Sequence, residues 1–263
     1  MKILITAALV ATLSLTSMSA SAQSTEQRGF EIAQQNSESN EGFGSTQVDL
    51  TMILRNKAGN EVARELTIQT LDHKAPGEGD KSLTTFNSPK DVEGTSMLTH
   101  IKIEDSDDQW LYLPKLKRVK RISSSNKSGP FMGSEFAFED FASFELDKFT
   151  YKYIGDDTVD GLAVYVVERY PTYGKSGYVR QVTYIDTKDV QTRKVDYYDR
   201  KNALLKTLTL KDYRLYGEFW RAHTLEMVNH QTGKSTVMSY GEYDFEPGLT
   251  EGDFEKGKLS NAR

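Results

Sequence analysis

Alternation of apolar and polar residues with a period of two is the feature that most restricts the fold of this chain. It is clear from Val48 to Leu54, and a polar tract at 56–60 separates this run from a second one at 62–71. Similar runs continue to residue 245, with turn signals roughly every 8–15 residues. The pattern predicts an antiparallel sandwich or barrel, built as a single domain.

One helix is predicted ahead of the strands. Ser24 and Gln27 have the spacing of a capping box, and weakly periodic apolar residues follow, so we expect a helix from about 25 to 38. Each predicted strand has one apolar side, which must be covered by another element. The predicted helix is one candidate for that cover.

The first 22 residues have the pattern of a secretory signal peptide. Lys2 precedes an apolar run from Ile3 to Leu15, and Ala20–Ala22 forms a small-x-small cleavage site. Cleavage after Ala22 would leave one domain, residues 23–263. The sequence has no cysteine. We therefore expect a disulfide-free protein of the bacterial periplasm, with release to the outside as the alternative.

Residues 111–141 join a basic run to a group of phenylalanines. The basic run, residues 115–121, predicts either a solvated strand face or a docking patch for anionic lipid headgroups or an acidic partner. Its charged members are Lys115, Lys117, Arg118, Lys120 and Arg121.

The Phe-rich segment, residues 131–144, follows a serine-rich loop. Because burying one phenylalanine stabilises a protein by about 1.5–3 kcal/mol, we expect this segment to pack on the apolar face of the sheet. It would be either ordinary core or a removable cover over an apolar cavity.

The sequence lacks familiar catalytic and nucleotide-binding motifs. It has no Gly-x-Ser-x-Gly elbow, no His-Glu-x-x-His pair and no P-loop, and its four histidines are scattered. A possible carboxylate cluster consists of Glu135, Glu139, Asp140 and Glu145, in which Glu135 or Glu139 would be the hydrolytic residue. The simpler interpretation places the acidic residues of 135–145 on the solvated side of a turn, or in ion pairs with the basic run. A secreted chain of net charge −5 is not expected to bind nucleic acid. We predict no catalytic residue, metal or cofactor.

Three stretches carry a resemblance to a known family. Trp110–Pro114, Arg118–Ile122 and the sequence FMGSEF at 131–136, followed by Phe138–Asp140, resemble the outer-membrane lipoprotein-sorting protein family. These are the LolA-like periplasmic carriers, and the last stretch is similar to an exporter-associated subgroup. The resemblance covers nearly all of the mature chain. It implies an α+β, mainly β fold, in which a strongly curved antiparallel sheet forms an incomplete barrel plugged by the N-terminal helix and a short helical lid.

The resemblance also implies a function without catalysis. The chain would be a periplasmic carrier that shields acyl chains of lipoproteins or lipids in a hydrophobic cavity during transfer towards the outer membrane. Expected partners are those acyl chains, a transient peripheral contact with a membrane, and an inner-membrane exporter of the resistance-nodulation-division type. The cavity and lid would comprise Trp110, Leu111, Tyr112, Leu113, Phe131, Met132, Phe136, Phe138 and Phe141. Which alternating pair of 110–113 faces inward stays open. The alternative function is a sensor or assembly partner of a membrane exporter, docking through the basic run.

Overall fold

The computed structural model describes residues 23–72, 77–142 and 145–261. The predicted signal peptide, residues 1–22, and positions 143 and 144 of the Phe-rich segment lie outside the described residues. The helix α1 is Thr25–Glu38. The first seven strands are β1 (Ser45–Arg55), β2 (Glu61–Leu71), β3 (Glu78–Ser88), β4 (Ser96–Lys102), β5 (Asp108–Leu113), β6 (Arg118–Arg121) and β7 (Phe149–Val159). The others are β8 (Leu162–Pro171), β9 (Tyr178–Asp186), β10 (Thr192–Asp199), β11 (Leu204–Tyr216), β12 (Phe219–Asn229), β13 (Ser235–Tyr240) and β14 (Asp244–Phe245).

The helix α1 forms where the sequence predicts it. The Ser24 Oγ accepts a hydrogen bond from the Gln27 N–H at 3.1 Å, which is the cap interaction. The Gln27 side chain donates to Glu31 at 2.8 Å and does not return to the cap, so half of the predicted capping box forms. Gly29 allows α1 to lie directly on strand β7, because a Cβ there would sit 2.6 Å from the backbone nitrogen of Tyr153.

The strands form one antiparallel sheet that does not close on itself. The order is β6-β5-β4-β3-β2-β1-β13-β12-β11-β10-β9-β8-β7, with β14 paired to β1 outside this path. In the described part of the chain, β6 and β7 are therefore free edges and the barrel is incomplete, as predicted. Asp107, in the turn before β5, forms an ion pair with Lys148, which directly precedes β7. This contact ties the two ends of the sheet together without a backbone ladder.

The two faces of the sheet are covered differently. The register places Val167, Thr183, Val195, Leu208 and Met227 side by side on one face, which we call the inner face. The helix α1 packs against the β7–β9 part of this face, and the Phe-rich segment covers the larger remainder. Two C-terminal 3₁₀ turns, Glu251–Phe254 and Lys256–Asn261, pack on the opposite, outer face of β3–β5. Among the described residues, no helix has the length and apolar character needed to cross a bilayer.

Candidate functional site

The Phe-rich segment lies in the middle of the inner face and fills it with its own rings. It contains two short 3₁₀ turns, Phe131–Gly133 and Phe138–Phe141. The Phe131 ring is fully buried and lies 4.3 Å from the Phe141 ring and 5.7 Å from the Phe86 ring of β3, measured between centroids. Phe136 is also buried, while Met132, Phe138 and Phe141 are partly buried against the same core. The segment therefore occupies the space where a hollow was expected beneath it.

Strand β5 distributes the four predicted cavity residues over both faces. Leu111 and Leu113 belong to the inner core with Phe131. Trp110 and Tyr112 belong to a separate outer-face cluster, which includes Phe254 from the C-terminal turns. Successive side chains of a strand point to opposite faces, so only one of the two pairs can lie beside the Phe-rich segment. The structure therefore places Leu111 and Leu113 on the face that the Phe-rich segment covers, and Trp110 and Tyr112 on the opposite face.

Polar contacts to a buried carboxylate hold the Phe-rich segment on the sheet. The Asp140 Oδ2 accepts from the Lys206 Nζ of β11 at 2.6 Å and from the Ala137 N–H at 2.7 Å. Its Oδ1 accepts from the Tyr178 hydroxyl at 2.8 Å. The side chains of Lys206 and Asp140 are only 4% and 5% exposed. Burial, followed by the charge of Asp140, raises the pKa of Tyr178 well above its ordinary value, so this hydroxyl stays a donor.

The neighbouring carboxylates are also occupied by structural contacts. Glu139 accepts from the Ser176 hydroxyl at 2.9 Å and the Gly177 N–H at 2.8 Å, and burial raises the pKa of its carboxyl. The Glu135 side chain accepts from the Asn229 amide at 2.7 Å. The expectation that these acids lie on a solvated surface or pair with the basic run is wrong. They anchor the segment to the loop before β9 and to strands β11 and β12.

Two further side chains reach the backbone of the Phe-rich segment. Arg64 of β2 donates from Nη1 to the carbonyl of Met132 at 2.6 Å. Gln109 of β5 donates to the carbonyl of Phe138 at 2.9 Å. Met132 has a positive φ of 49°, an unusual conformation for a side chain other than glycine or asparagine. The segment is therefore attached to strands from both halves of the sheet through a small number of directed hydrogen bonds.

An open cleft remains on the inner face beside the end of α1. Its volume is about 280 Å³, and Asn36 and Asn40 of the helix end form one wall. The opposite wall is apolar and aromatic, and consists of Leu210, Tyr213, Trp220, Leu225, Tyr240 and Tyr243. Leu210, Leu225 and Tyr240 also pack against the main core, so the cleft continues the core outwards. Gln191, Thr192 and Arg221 also line the cleft, so its apolar wall adjoins polar side chains, as in pockets that bind small ligands.

Sequence reasoning missed these cleft residues. The alternation of Leu208 and Leu210 in β11 was a usable signal, because it marks the inner face. Tyr213 was not predictable in this way, since it lies three residues beyond Leu210 and regular alternation would send it to the outer face. Between them, Asp212 has a positive φ of 54°, and Tyr213 lines the cleft together with Leu210.

Two other clefts border the Phe-rich segment, and both have charged walls. One, of about 370 Å³, is lined by Glu135, Lys206 and Lys234 together with small and polar residues. The other, of about 100 Å³, contains Glu139 and Arg169 among its lining residues. Burial lowers the pKa of the Arg169 guanidinium, and Gln181 accepts a hydrogen bond from its Nε at 2.7 Å. Binding of an acyl chain against such charged walls would gain little free energy.

The basic run lies on the edge strand β6 and the turn before it. Its five charged members are all exposed, and in the described part of the chain only Arg121 forms an ion pair, with Asp108. Leu116, at the tip of the turn, is 67% exposed. The run therefore presents four unpaired cations and one apolar side chain to solvent. Charged residues on a free edge also discourage pairing with other strands.

The chain is therefore an open antiparallel sheet with a covered inner face and an adjoining cleft. Comparison with solved structures finds the same class of fold. A domain named as an outer membrane lipoprotein-sorting protein from Vibrio parahaemolyticus matches with a TM-score of 0.86 and 48% identity, covering 89% of this chain and 99% of its own. A DUF1329 family protein from Desulfovibrio piger matches with a TM-score of 0.86 and 27% identity, over 90% of this chain and 100% of its own. A LolA superfamily protein from Nitrosomonas europaea shares the fold, with a TM-score of 0.69 at 17% identity over 89% of this chain and 99% of its own.

The chain belongs to the outer membrane lipoprotein-sorting protein family. A family model whose description reads "Uncharacterized protein" matches residues 78–261. A search of curated proteins found no match. None of the three similar structures carries the name of an enzyme.

Proposed function

We propose that this protein is a periplasmic carrier that shields acyl chains of lipoproteins or lipids during transfer towards the outer membrane. The observation that carries the proposal is the open cleft of about 280 Å³, whose aromatic and aliphatic wall continues directly into the core. Each buried CH₂ group of an acyl chain gains about 0.8 kcal/mol. A surface of this kind therefore binds acyl chains without any catalytic residue.

Longer chains require the space that the Phe-rich segment occupies. Every strand of the sheet finds its backbone partners in other strands, so the segment is not part of the ladder. Its attachment depends on side-chain contacts such as Asp140–Lys206 and Arg64–Met132. Displacement of the segment would expose the inner face while the sheet stays intact. A ligand that binds only this open form shifts the population towards it.

Binding of an acyl probe to the delipidated protein tests the proposal. Trp220 lines the cleft and is one of only two tryptophans, so a Trp110→Phe protein reports on the cleft by its own emission. We expect a saturable blue shift on adding dodecanol, a neutral acyl probe. Leu210→Asp should weaken binding. Leu215→Asp is the matched control on the same strand, because Leu215 is 53% exposed. If the protein with an unsubstituted cleft shows no saturable binding, the proposed carrier function is rejected.

A second candidate function rests on the basic run. Exposed cations near an anionic membrane each contribute about 1 kcal/mol, and the protruding Leu116 adds an apolar contact. The run would then dock the protein on a membrane or on an exporter of the resistance-nodulation-division type. Reversing Lys117, Arg118 and Lys120 to Glu should abolish sedimentation with vesicles of phosphatidylglycerol and leave dodecanol binding unchanged. If sedimentation is unchanged, the basic run does not dock the protein on membranes.

A further inference from the structure

Arg221 is a cation placed at the wall of the apolar cleft. It lies near the start of β12 and lines the cleft next to Trp220. Its Cζ atom lies 5.2 Å from the ring centroid of Phe43 and 5.5 Å from those of Phe219 and Phe245. Three rings therefore hold the guanidinium through their faces, which fixes its position without neutralising its charge.

The hydrogen bonds of this guanidinium are incompletely satisfied by the protein. Its Nη1 donates to the carbonyl of Trp220 at 2.9 Å and to the Asn40 Oδ1 at 3.4 Å. Both acceptors are neutral, and no carboxylate of residues 23–72, 77–142 or 145–261 lies within ion-pair distance. Burial lowers the pKa of the Arg221 guanidinium. Asp80 is the one carboxylate whose charge opposes this shift, and it lies beyond ion-pair distance of Arg221. A guanidinium carries five N–H donors in a fork that suits carboxylate and phosphate.

We propose that Arg221 binds the anionic head of a single-chain amphiphile whose tail lies on the wall formed by Leu210, Leu225 and Tyr240. The inference rests on the proposed acyl-binding function and adds the charge class of the ligand to it. A half-buried cation without a counter-ion is costly, and an anion brought by the ligand removes that cost. The apolar wall begins beside the guanidinium, so head and tail are recognised in one continuous site. Carboxylate and phosphate share the required chemistry.

The neighbouring end of α1 supplies a competing structural explanation. Asn40 follows the last residue of the helix by two positions, and the carbonyl end of a helix carries a partial negative charge. Arg221 could serve only to compensate this end. Such a role predicts a loss of thermal stability on substitution and no preference for charged ligands, whereas a ligand site predicts that preference in the unsubstituted protein.

The test compares amphiphiles that differ only in their heads, using Trp220 emission in the Trp110→Phe background. Dodecanoate, dodecyl phosphate and dodecanol have equal tails. We expect at least one of the two anions to bind roughly tenfold to a hundredfold tighter than dodecanol, as for a charge-assisted hydrogen bond. Arg221→Gln should remove that preference, so that the three amphiphiles bind this variant with similar affinities. Arg221→Lys, which keeps the charge but loses the fork, should give an intermediate preference.

The outcomes separate the two proposals. The tighter of the two anions identifies the head as a carboxylate or a phosphate. If dodecanol and both anions bind equally to the protein with Arg221 intact, the anion site is wrong but the proposed carrier function is not contradicted. This result does not depend on the folding of any variant of Arg221. Failure of all three amphiphiles would reject both. The matched control is Arg214→Gln on β11, an exposed arginine paired with Glu242, which should keep the anion preference.

Discussion

Substitution of Asp140 tests whether the Phe-rich segment is a removable cover or part of the cooperative core. Asp140→Asn keeps the shape of the side chain and removes its charge, which leaves the 4% exposed Lys206 side chain without its counter-ion. Breaking a buried ion pair by removing one partner costs about 3–5 kcal/mol. The Lys206 Nζ retains its bond to the carbonyl of Glu135 at 2.9 Å, so we expect the lower end, about 3 kcal/mol. This corresponds to roughly a 100-fold increase in the opening equilibrium.

Hydrogen exchange of individual amides measures this opening. The Phe131 N–H donates to the carbonyl of Phe136 at 2.7 Å and reports on the segment, while amides paired between β1 and β2 report on the sheet. For a removable cover, we expect exchange at Phe131 to accelerate about 100-fold and the β1–β2 amides to keep their protection. Asp244→Asn is the control, because Asp244 is exposed. The double variant Asp140→Asn/Lys206→Met should recover much of the loss, since it leaves no uncompensated charge.

Two results would refute this reasoning in different ways. Unchanged exchange at Phe131 would mean that the Asp140–Lys206 pair does not hold the segment. Equal acceleration of all amides would mean that the segment unfolds only together with the sheet. The segment would then be ordinary core, and the proposed carrier function would lose its opening step.

Three further predictions concern stability. Phe131→Ala should lower the free energy of unfolding in urea by about 3–5 kcal/mol, because the ring is fully buried among other rings; a loss below 1 kcal/mol would contradict that packing. Gly29→Ala should lower the melting temperature by pushing α1 away from Tyr153, whereas Gln35→Ala on the exposed side of α1 should not. Burial, and then the charge of Asp80, raises the pKa of Glu145 to about 7 from 4.5, so the folded state binds more protons than the unfolded state between these values. Stability should therefore fall as the pH rises from 4.5 to 7, and urea titrations should show a smaller fall for Glu145→Gln; parallel pH curves would contradict the shift.

The elements of this fold were readable from the sequence because their signals are local. Period-two alternation located strands such as β1 and β2, and the Ser24 cap located the start of α1 to the residue. Resemblance to the sorting family supplied the curvature and the incomplete closure, which composition alone had left as a sandwich or barrel. The strand alternation and the helix cap depend on residues a few positions apart, where the spacing in the chain fixes the geometry.

Only the tertiary structure decided how these elements meet. Alternation divides Trp110 and Leu111 between two faces but does not say which face is inner; that depends on the packing of the C-terminal turns near Phe254. Asp140 and Lys206 are 66 positions apart, so no local pattern marks them as a buried pair. The cleft likewise joins the end of α1 to β11 and β12. Sequence spacing determines the face to which a side chain points. Whether a charge is buried, and where a cleft stays open, depends on residues that are distant in the sequence and become neighbours only when the chain folds.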